Sequence, residues 1–337
     1  MLKIIKIVAL SFVIILFAGC SSKSLYEPAK VAGYISFDGD LPAPIQDVTR
    51  DGATLSNYQV ITKKDGLLSV KIPTGYRFLN ATKKYIISTS PIGDLCIEDK
   101  ISGKKIYQHK FDNMIASANL KDDIIAIVFA NNKIMSMNIK NNNILFERKL
   151  DDVSALDARM ASAYFLGNLI VFPTLDGRLL IVSRKTNKVI RDIVVSSKPY
   201  FNNVIFLNVL DNKLVAATQN KIISISPTNV SYMDVGVKDI IFLGERVFVF
   251  TKDGRIILTT SGLKNLKEKK FKFANFSTAI YGDFIYVIEK NGYLIAVDKD
   301  LITTNVYKLP NEIEDLMFTT KDTLYYDNKY FKLNQVK

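Results

Sequence analysis

Residues with metal-binding or nucleophilic chemistry are scarce in this sequence, which has one histidine, two cysteines and no tryptophan. A histidine-based metal site needs at least two such ligands, so the single His109 excludes one. A Ser–His–Asp triad needs only one histidine, but no Gly-x-Ser-x-Gly nucleophile elbow is present. The surrounding residues 106–111 predict an outer β-strand, with His109 at an edge or facing solvent. We therefore expect no catalytic residue, metal or cofactor, and predict that the protein is not an enzyme.

The N-terminus has the features of an exported lipoprotein. Lys3 and Lys6 precede an apolar run, residues 7–18, which is shorter than the ~20 residues needed to span a bilayer. The run ends in Leu-Phe-Ala-Gly-Cys20, which resembles the lipobox of bacterial lipoproteins. We predict a signal peptide over residues 1–19 and acylation of Cys20 as the new N-terminus. An ordinary signal peptide or membrane anchor with an incidental cysteine is the alternative.

The residues after Cys20 predict where the protein resides. A serine rather than an aspartate follows the cysteine, which resembles the default signal for the outer membrane. Residues 20–44, with three prolines and a serine-rich start, are interpreted as a lipidated tether and lead-in, and residues 45–337 as the folded domain. We expect a lipid anchor in the outer membrane with the domain facing the periplasm. The cell surface is the alternative location.

Acidic residues are outnumbered, which gives a net charge of +12, or +10 once Lys3 and Lys6 are removed with the signal peptide. Such a charge in an intracellular protein would suggest nucleic acid as a partner, but export excludes it. Membrane lipids, lipopolysaccharide, cell-wall polymer and acidic protein surfaces remain as partners. A lysine- and asparagine-rich composition of an AT-rich genome would give the same charge without any such partner.

Charged clusters and the second cysteine have simple structural interpretations. Cys96 lies between apolar neighbours in a predicted strand and is expected to be a buried thiol, so no intrachain disulfide forms once Cys20 is acylated. The pairs Asp122-Asp123 and Asp151-Asp152 lie at strand boundaries, where turns favour aspartate, and lack EF-hand spacing. The basic residues 267–272 predict a solvated outer strand, with a lipid- or wall-facing patch as the alternative.

One unit recurs from about residue 83 onward: an apolar strand, a turn rich in Asn, Asp and Gly, and a second apolar strand. Asp-Gly and Asn-Gly between apolar runs are strong hairpin signals. The unit occurs in seven copies, whose equivalent turn residues are Gly93, Asn132, Gly177, Asn220, Gly254, Gly292 and Asn328. Their mean spacing is about 39 residues, the length of a four-stranded propeller blade. The sequence therefore predicts a single all-β propeller.

The number of blades depends on the N-terminal residues. The last copy lacks an outer strand, and propellers commonly take such a strand from the N-terminus. Gly66 is spaced as the third turn of a blade, which makes residues 67–72 a candidate closing strand. Seven blades follow from this pairing. If residues 31–62 contribute further inner strands, there would be eight.

The unit starting at Gly93 reads Gly-Asp-Leu-Cys-Ile-Glu-Asp-Lys-Ile-Ser-Gly and resembles the PQQ-like propeller repeat, Gly-x-Leu-x-x-x-Asp-x-x-x-Gly. The copies at Asp176 and Asn291 match it in part. A lipobox joined to such repeats resembles the BamB-like lipoproteins, scaffolds of the outer-membrane β-barrel assembly machinery. Quinoprotein dehydrogenases share the repeat, but they need a stacking tryptophan and a vicinal disulfide, which this sequence does not supply.

Two classes of function follow. The resemblance implies a non-enzymatic, protein-binding scaffold of an envelope complex, with the β-barrel assembly machinery as one partner. The alternative is a binding module or hydrolase that holds a glycan or small ligand in the central funnel of the propeller.

Overall fold

The computed structural model describes residues 24–333 and 336. These residues form 33 strands, numbered β1–β33 in chain order, in eight sheets. Each sheet contains a meander of consecutive antiparallel strands, and the first sheet of the series contacts the last one, which closes the sheets into a ring. The all-β propeller predicted from the repeats is confirmed. Within the described residues no helix is long and apolar enough to cross a membrane.

The first four blades are built from successive strands of residues 45–194. Blade 1 comprises β3 (Ile45–Val48), β4 (Gly52–Leu55), β5 (Gln59–Thr62) and β6 (Gly66–Lys71). Blade 2 comprises β7 (Arg77–Ala81), β8 (Tyr85–Thr89), β9 (Asp94–Asp99) and β10 (Lys105–Lys110). Blade 3 comprises β11 (Ile115–Lys121), β12 (Ile124–Phe129), β13 (Lys133–Asn138) and β14 (Ile144–Lys149). Blade 4 comprises β15 (Tyr164–Leu166), β16 (Leu169–Pro173), β17 (Arg178–Ser183) and β18 (Val189–Val194).

The last four blades include two strands from the N-terminal side. Blade 5 comprises β19 (Phe206–Leu210), β20 (Lys213–Ala217), β21 (Lys221–Ile225) and β22 (Val230–Asp234). Blade 6 comprises β23 (Val237–Leu243), β24 (Arg246–Thr251), β25 (Arg255–Thr260) and β26 (Asn265–Lys270). Blade 7 comprises β27 (Phe276–Tyr281), β28 (Ile285–Glu289), β29 (Tyr293–Val297) and β30 (Thr304–Lys308), with β1 (Gly33–Tyr34) added in parallel. Blade 8 comprises β31 (Met317–Thr319), β32 (Thr323–Tyr326), β33 (Lys329–Lys332) and β2 (Gly39–Asp40).

The turns between second and third strands explain why Gly and Asn recur at one position of the repeat. Gly254 has φ +79°, and a Cβ there would lie 2.4 Å from the carbonyl oxygen of Phe271. Asn132 takes the same place in blade 3 with φ 60°, and its side-chain amide donates to the carbonyl of Asp151 at 2.8 Å. Five of the seven equivalent turn residues, these two included, have positive φ, which Gly and Asn tolerate at low cost.

The hydrophobic core lies between the blades. The second and third strands of most blades are buried on both faces, whereas the outer strands alternate or face solvent. Phe248 and Phe250 of blade 6, for example, belong to one buried cluster with Ile285 and Val287 of blade 7. Burial of a large apolar side chain contributes roughly 1.5–3 kcal/mol, so this inter-blade packing holds the ring together; among the described residues the one cysteine, Cys96, is free.

The ring has eight blades, the alternative that the sequence left open, rather than the seven that it favoured. Gly66 does follow the third turn of a blade, as predicted, but β6 completes blade 1 itself and is not the closing strand. In the turn between the two strands that precede it, β4 and β5, Tyr58 has positive φ at the position where the predicted copies have Gly or Asn, so the repeat pattern is missing there.

Closure by an N-terminal strand is confirmed, with β2 in that role. Gly39 pairs with Tyr330 and Asp40 with Lys329, in antiparallel register. The amide of Lys332 donates to the Asp38 carboxylate at 2.7 Å, and the Phe37 ring stacks on Tyr326 with centroids 6.4 Å apart. The segment predicted as lead-in, residues 20–44, therefore contains two strands that belong to the propeller.

Candidate functional site

The short first hairpin of blade 1 ends inside the central channel. Its tip, Thr49–Asp51, is closed by a hydrogen bond from the Thr49 amide to the Gly52 carbonyl at 2.8 Å. A Cβ at Gly52 would lie 2.4 Å from both the Ile61 carbonyl oxygen and the Phe78 ring, so only glycine allows this approach. The close approach sets the position from which Arg50 and Asp51 extend into the channel.

Arg50 links blade 1 to the far side of the ring. Its Nη2 lies 3.2 Å from Oδ1 of Asp239 on β23, and its guanidinium carbon lies 3.2 Å from the centroid of the Phe206 ring on β19. The neighbouring Asp51 accepts a hydrogen bond from the Ser162 hydroxyl, just before β15, at 2.9 Å. One turn of blade 1 thus contacts blade 5, blade 6 and the segment leading into blade 4, and acts as a strut across the channel.

Asp239 is buried in the channel wall, and both oxygens of its carboxylate accept hydrogen bonds. Besides Arg50, it accepts hydrogen bonds from the Thr278 hydroxyl at 3.2 Å, the Ala279 amide at 2.7 Å and the Ile240 amide at 2.9 Å. Two of these donors belong to blade 7, so the carboxylate joins three blades. Four donors compensate the cost of burying its charge.

A second charged cluster surrounds Asp157, in the segment between β14 and β15. Arg159 donates from Nε and Nη2 to the two carboxylate oxygens at 3.0 and 2.5 Å, and Gln219 donates at 2.6 Å. Burial opposes ionisation of Asp157, but the hydrogen bond and charge of Arg159 outweigh it and lower the pKa of the carboxyl. Arg159 Nη1 also donates to the Lys238 carbonyl, which ties this cluster to the start of β23.

A cavity of about 470 Å³ lies between the inner strands of blades 6, 7, 8 and 1. Four basic side chains and one carboxylate line it, namely Arg50, Lys63, Arg159, Lys321 and Asp239. Desolvation by the surrounding protein and the nearby Arg50 lower the pKa of Lys63, although this residue remains exposed to solvent. Burial also lowers the pKa of Arg50, against the effect of Asp239. Cationic charge therefore exceeds anionic charge in the cavity, which suits the binding of anionic groups.

The residues singled out from the sequence lie away from this cavity. Cys20 lies outside the described residues, so its acylation stays a prediction. Cys96 is buried on β9, as predicted, and burial raises the pKa of its thiol to about 11. His109 lies on β10, the outer strand of blade 2, with ring centroids 6.2 Å from Tyr107 and 4.5 Å from Phe111.

The paired aspartates form surface ion pairs and do not meet one another. Asp122 lies 3.3 Å from Arg184, Asp123 lies 2.7 Å from Lys140, and Asp152 contacts Lys149. No group of three His, Cys, Asp or Glu side chains suited to a metal ion occurs among residues 24–333. Of the basic residues 267–272, predicted as an outer strand, 267–270 lie on β26, the outer strand of blade 6, and Phe271 and Lys272 follow its end.

Sequence analysis did not identify the channel residues Arg50, Lys63, Asp157, Arg159 and Asp239. One signal was present: Asp239 follows Lys238 and directly precedes the apolar run Ile240–Leu243, near the start of an inner strand. A charged residue that is buried beside such a run requires a partner. The partner itself was not evident, because Arg50 lies 189 positions earlier in an ordinary-looking turn.

The eight-bladed ring defines the protein as a β-propeller, and the comparisons with known proteins agree. No family model matches the sequence. The plasminogen-binding protein PgbB of Helicobacter pylori is similar in two strains, at 28% and 27% identity, each alignment covering 96% of this chain and 70% of that protein.

Solved propeller structures resemble the chain at lower identity. BamB from Moraxella catarrhalis superposes with a TM-score of 0.64 at 14% identity, and the C-terminal WD40 domain of Sif2 with 0.68 at 11%. Sqt1 from Saccharomyces cerevisiae gives 0.61 at 10%. All three alignments cover 90% of this chain and 99% of the other chain. At these identities the likeness establishes the fold and carries no information about function.

Proposed function

We propose that this protein is a non-enzymatic, protein-binding propeller, anchored through acylated Cys20 to the outer membrane. The observation that carries the proposal is the similarity to PgbB along 96% of the chain, since that relative is named for binding another protein. The propeller supplies a large rigid surface of loops and outer strands. The Cys20 lipobox supports export and anchoring, on either the periplasmic face or the cell surface.

The basic surface determines what kind of partner it attracts. Lysines are exposed on the outer strand of blade 6, of which Lys267 is one, and the whole chain has a net charge of +12. Such a surface speeds encounter with acidic partner surfaces, and the association weakens as salt screens it. A partner that recognises lysine side chains would use the same surface.

Binding to plasminogen tests the proposal directly. The full-length protein in lipid nanodiscs is immobilised, and plasminogen is titrated by biolayer interferometry at 50, 150 and 500 mM NaCl. We expect saturable binding that weakens at least tenfold over this range and is competed by free lysine, with free glutamate as the control. Binding that saturates but ignores lysine would leave protein binding intact and assign it to another surface. Absence of binding at 50 mM NaCl would remove plasminogen as the partner.

The β-barrel assembly machinery is the second partner class, which the lipobox and the propeller together support. Deleting the gene should then lower the amounts of several outer-membrane barrels, measured by quantitative proteomics of isolated envelopes. Complementation with the wild-type chain should restore them. Unchanged barrel levels, with one enzymatic conversion lost instead, would contradict the scaffold role and favour an enzyme.

A further inference from the structure

We propose that the central cavity binds a small oxyanion ligand, a molecule carrying carboxylate or phosphate groups, between the inner strands of blades 6, 7, 8 and 1. This site is separate from the outer surface used in the proposed protein binding. Neither function requires the other.

The charge balance of the cavity supports this assignment. Arg50, Lys63, Arg159 and Lys321 line it; Asp239 pairs with Arg50 and Asp157 pairs with Arg159, which leaves Lys63 and Lys321 as the excess positive charge. The Asp239 carboxylate already accepts four hydrogen bonds and has little capacity left for another cation.

The other nearby carboxylates are also engaged. Asp51 accepts the Ser162 hydroxyl at 2.9 Å, and Asp157 is held by Arg159 and Gln219. Within the described part of the chain, the Lys63 ammonium therefore has no ion pair or hydrogen bond, although Arg50 lies close enough to lower its pKa. A bound anion would supply the missing counter-charge.

Arg50 is oriented in advance to receive such an anion. A guanidinium has five N–H donors, and among the described residues only Nη2 is used, in the contact with Asp239. The Phe206 ring covers one face of the guanidinium with its centroid 3.2 Å from the central carbon, which holds the plane of the group. The remaining donors match the two oxygens of a carboxylate or phosphate.

The rest of the wall fits a small organic molecule. Ser277 lines it beside the apolar Ile240 and Ile280, together with Thr49 and Thr320, whose hydroxyls donate to the carbonyls of Gly52 and Thr323 and can still accept a hydrogen bond. A volume of about 470 Å³ lies within the range typical of small-molecule sites. Such a wall combines polar groups that can hydrogen-bond to hydroxyls with apolar surface and excess positive charge. This combination favours a small, hydroxylated anion.

Isothermal titration calorimetry with two defined probes tests the site. The full-length protein in non-ionic detergent is titrated with citrate and, separately, with inorganic pyrophosphate, at constant ionic strength. We expect at least one probe to bind at a single site, and the tighter one to identify carboxylate or phosphate as the preferred group. Lys63→Gln should weaken that binding at least tenfold, because it removes the unpaired cation. Lys64→Gln is the matched control, since Lys64 lies next in the chain but outside the central cavity, and should change affinity less than twofold.

Folding and non-specific charge effects are separated by further measurements. Thermal melting by circular dichroism checks each variant, and Lys321→Gln replaces Lys63→Gln if the latter unfolds. Failure of both probes to bind would overturn the proposal, as would equal weakening by Lys63→Gln and Lys64→Gln. Plasminogen binding by the same variants is expected to be unchanged, so the two proposals fail independently.

Discussion

Removal of the Arg50 side chain is expected to destabilise the whole ring. The Arg50 and Asp239 side chains are 18% and 10% exposed, so Arg50→Ala leaves a nearly buried carboxylate without its cation. Breaking a buried pair costs about 3–5 kcal/mol, and loss of the contact with Phe206 adds roughly 0.5–2 kcal/mol. The three other donors to Asp239 reduce the loss, and we expect a fall of about 3 kcal/mol in unfolding free energy. For a domain of this size that corresponds to a melting temperature lower by about 6 °C.

Differential scanning calorimetry of the full-length protein measures this shift, and Arg178→Ala serves as the matched control. Arg178 lies 2.9 Å from Asp192 on the outside of blade 4, and its side chain is 38% exposed. Surface pairs of this kind contribute about 0–1 kcal/mol, so the control should melt within about 2 °C of the parent. The description of Arg50 as a cross-channel strut is refuted if the two variants melt at the same temperature.

Four further outcomes follow from the structure. Cys20→Ala should abolish incorporation of labelled palmitate, and labelling that persists would refute anchoring at this residue. The Cys96 thiol, with a pKa of about 11 and no exposure, should resist iodoacetamide at pH 8 until denaturant is added; rapid labelling of the native protein would contradict its burial. Deleting residues 31–41 should expose β33 and produce an aggregating or protease-sensitive protein, whereas a monomer that melts like the parent would refute closure by β2. The pKa of Asp253 is about 2, below its ordinary 3.8, so its contribution to stability is present above pH 3.8 and is lost as the pH falls towards 2; acid melts of Asp253→Asn should lack that part of the slope.

The repeating part of the fold could be predicted from the sequence because most blades carry a local signal, a turn flanked by apolar strands. Gly254 and Asn132 occupy a turn that only such residues tolerate, and apolar strands flank that turn in blade after blade. Blade 1 was not predicted from β3–β5 because its turn between second and third strands has Tyr58, instead of Gly or Asn, at positive φ before the third strand. The repeat therefore favoured seven blades, one fewer than the structure has.

The candidate site could not be predicted from local sequence patterns, for a different reason. Arg50, Phe206 and Asp239 come from three blades and meet only after the ring has closed. A basic residue in a turn has the same sequence appearance whether it faces solvent or crosses a channel. Burial of Cys96 and the outer-strand position of His109 were predictable, because each depends on the residues of one strand: Cys96 lies between apolar neighbours, and His109 lies in a largely polar strand.

The pairing of β2 with β33 has a consequence for how the chain reaches its native state. Gly39 and Tyr330 are separated by 291 positions, so the last blade is complete only after nearly the whole chain has been made. Such non-local contacts form slowly, since the loop must be closed before its contacts contribute. Until β2 pairs with it, β33 is an open edge able to pair with another molecule, and the chain is most exposed to aggregation during this interval.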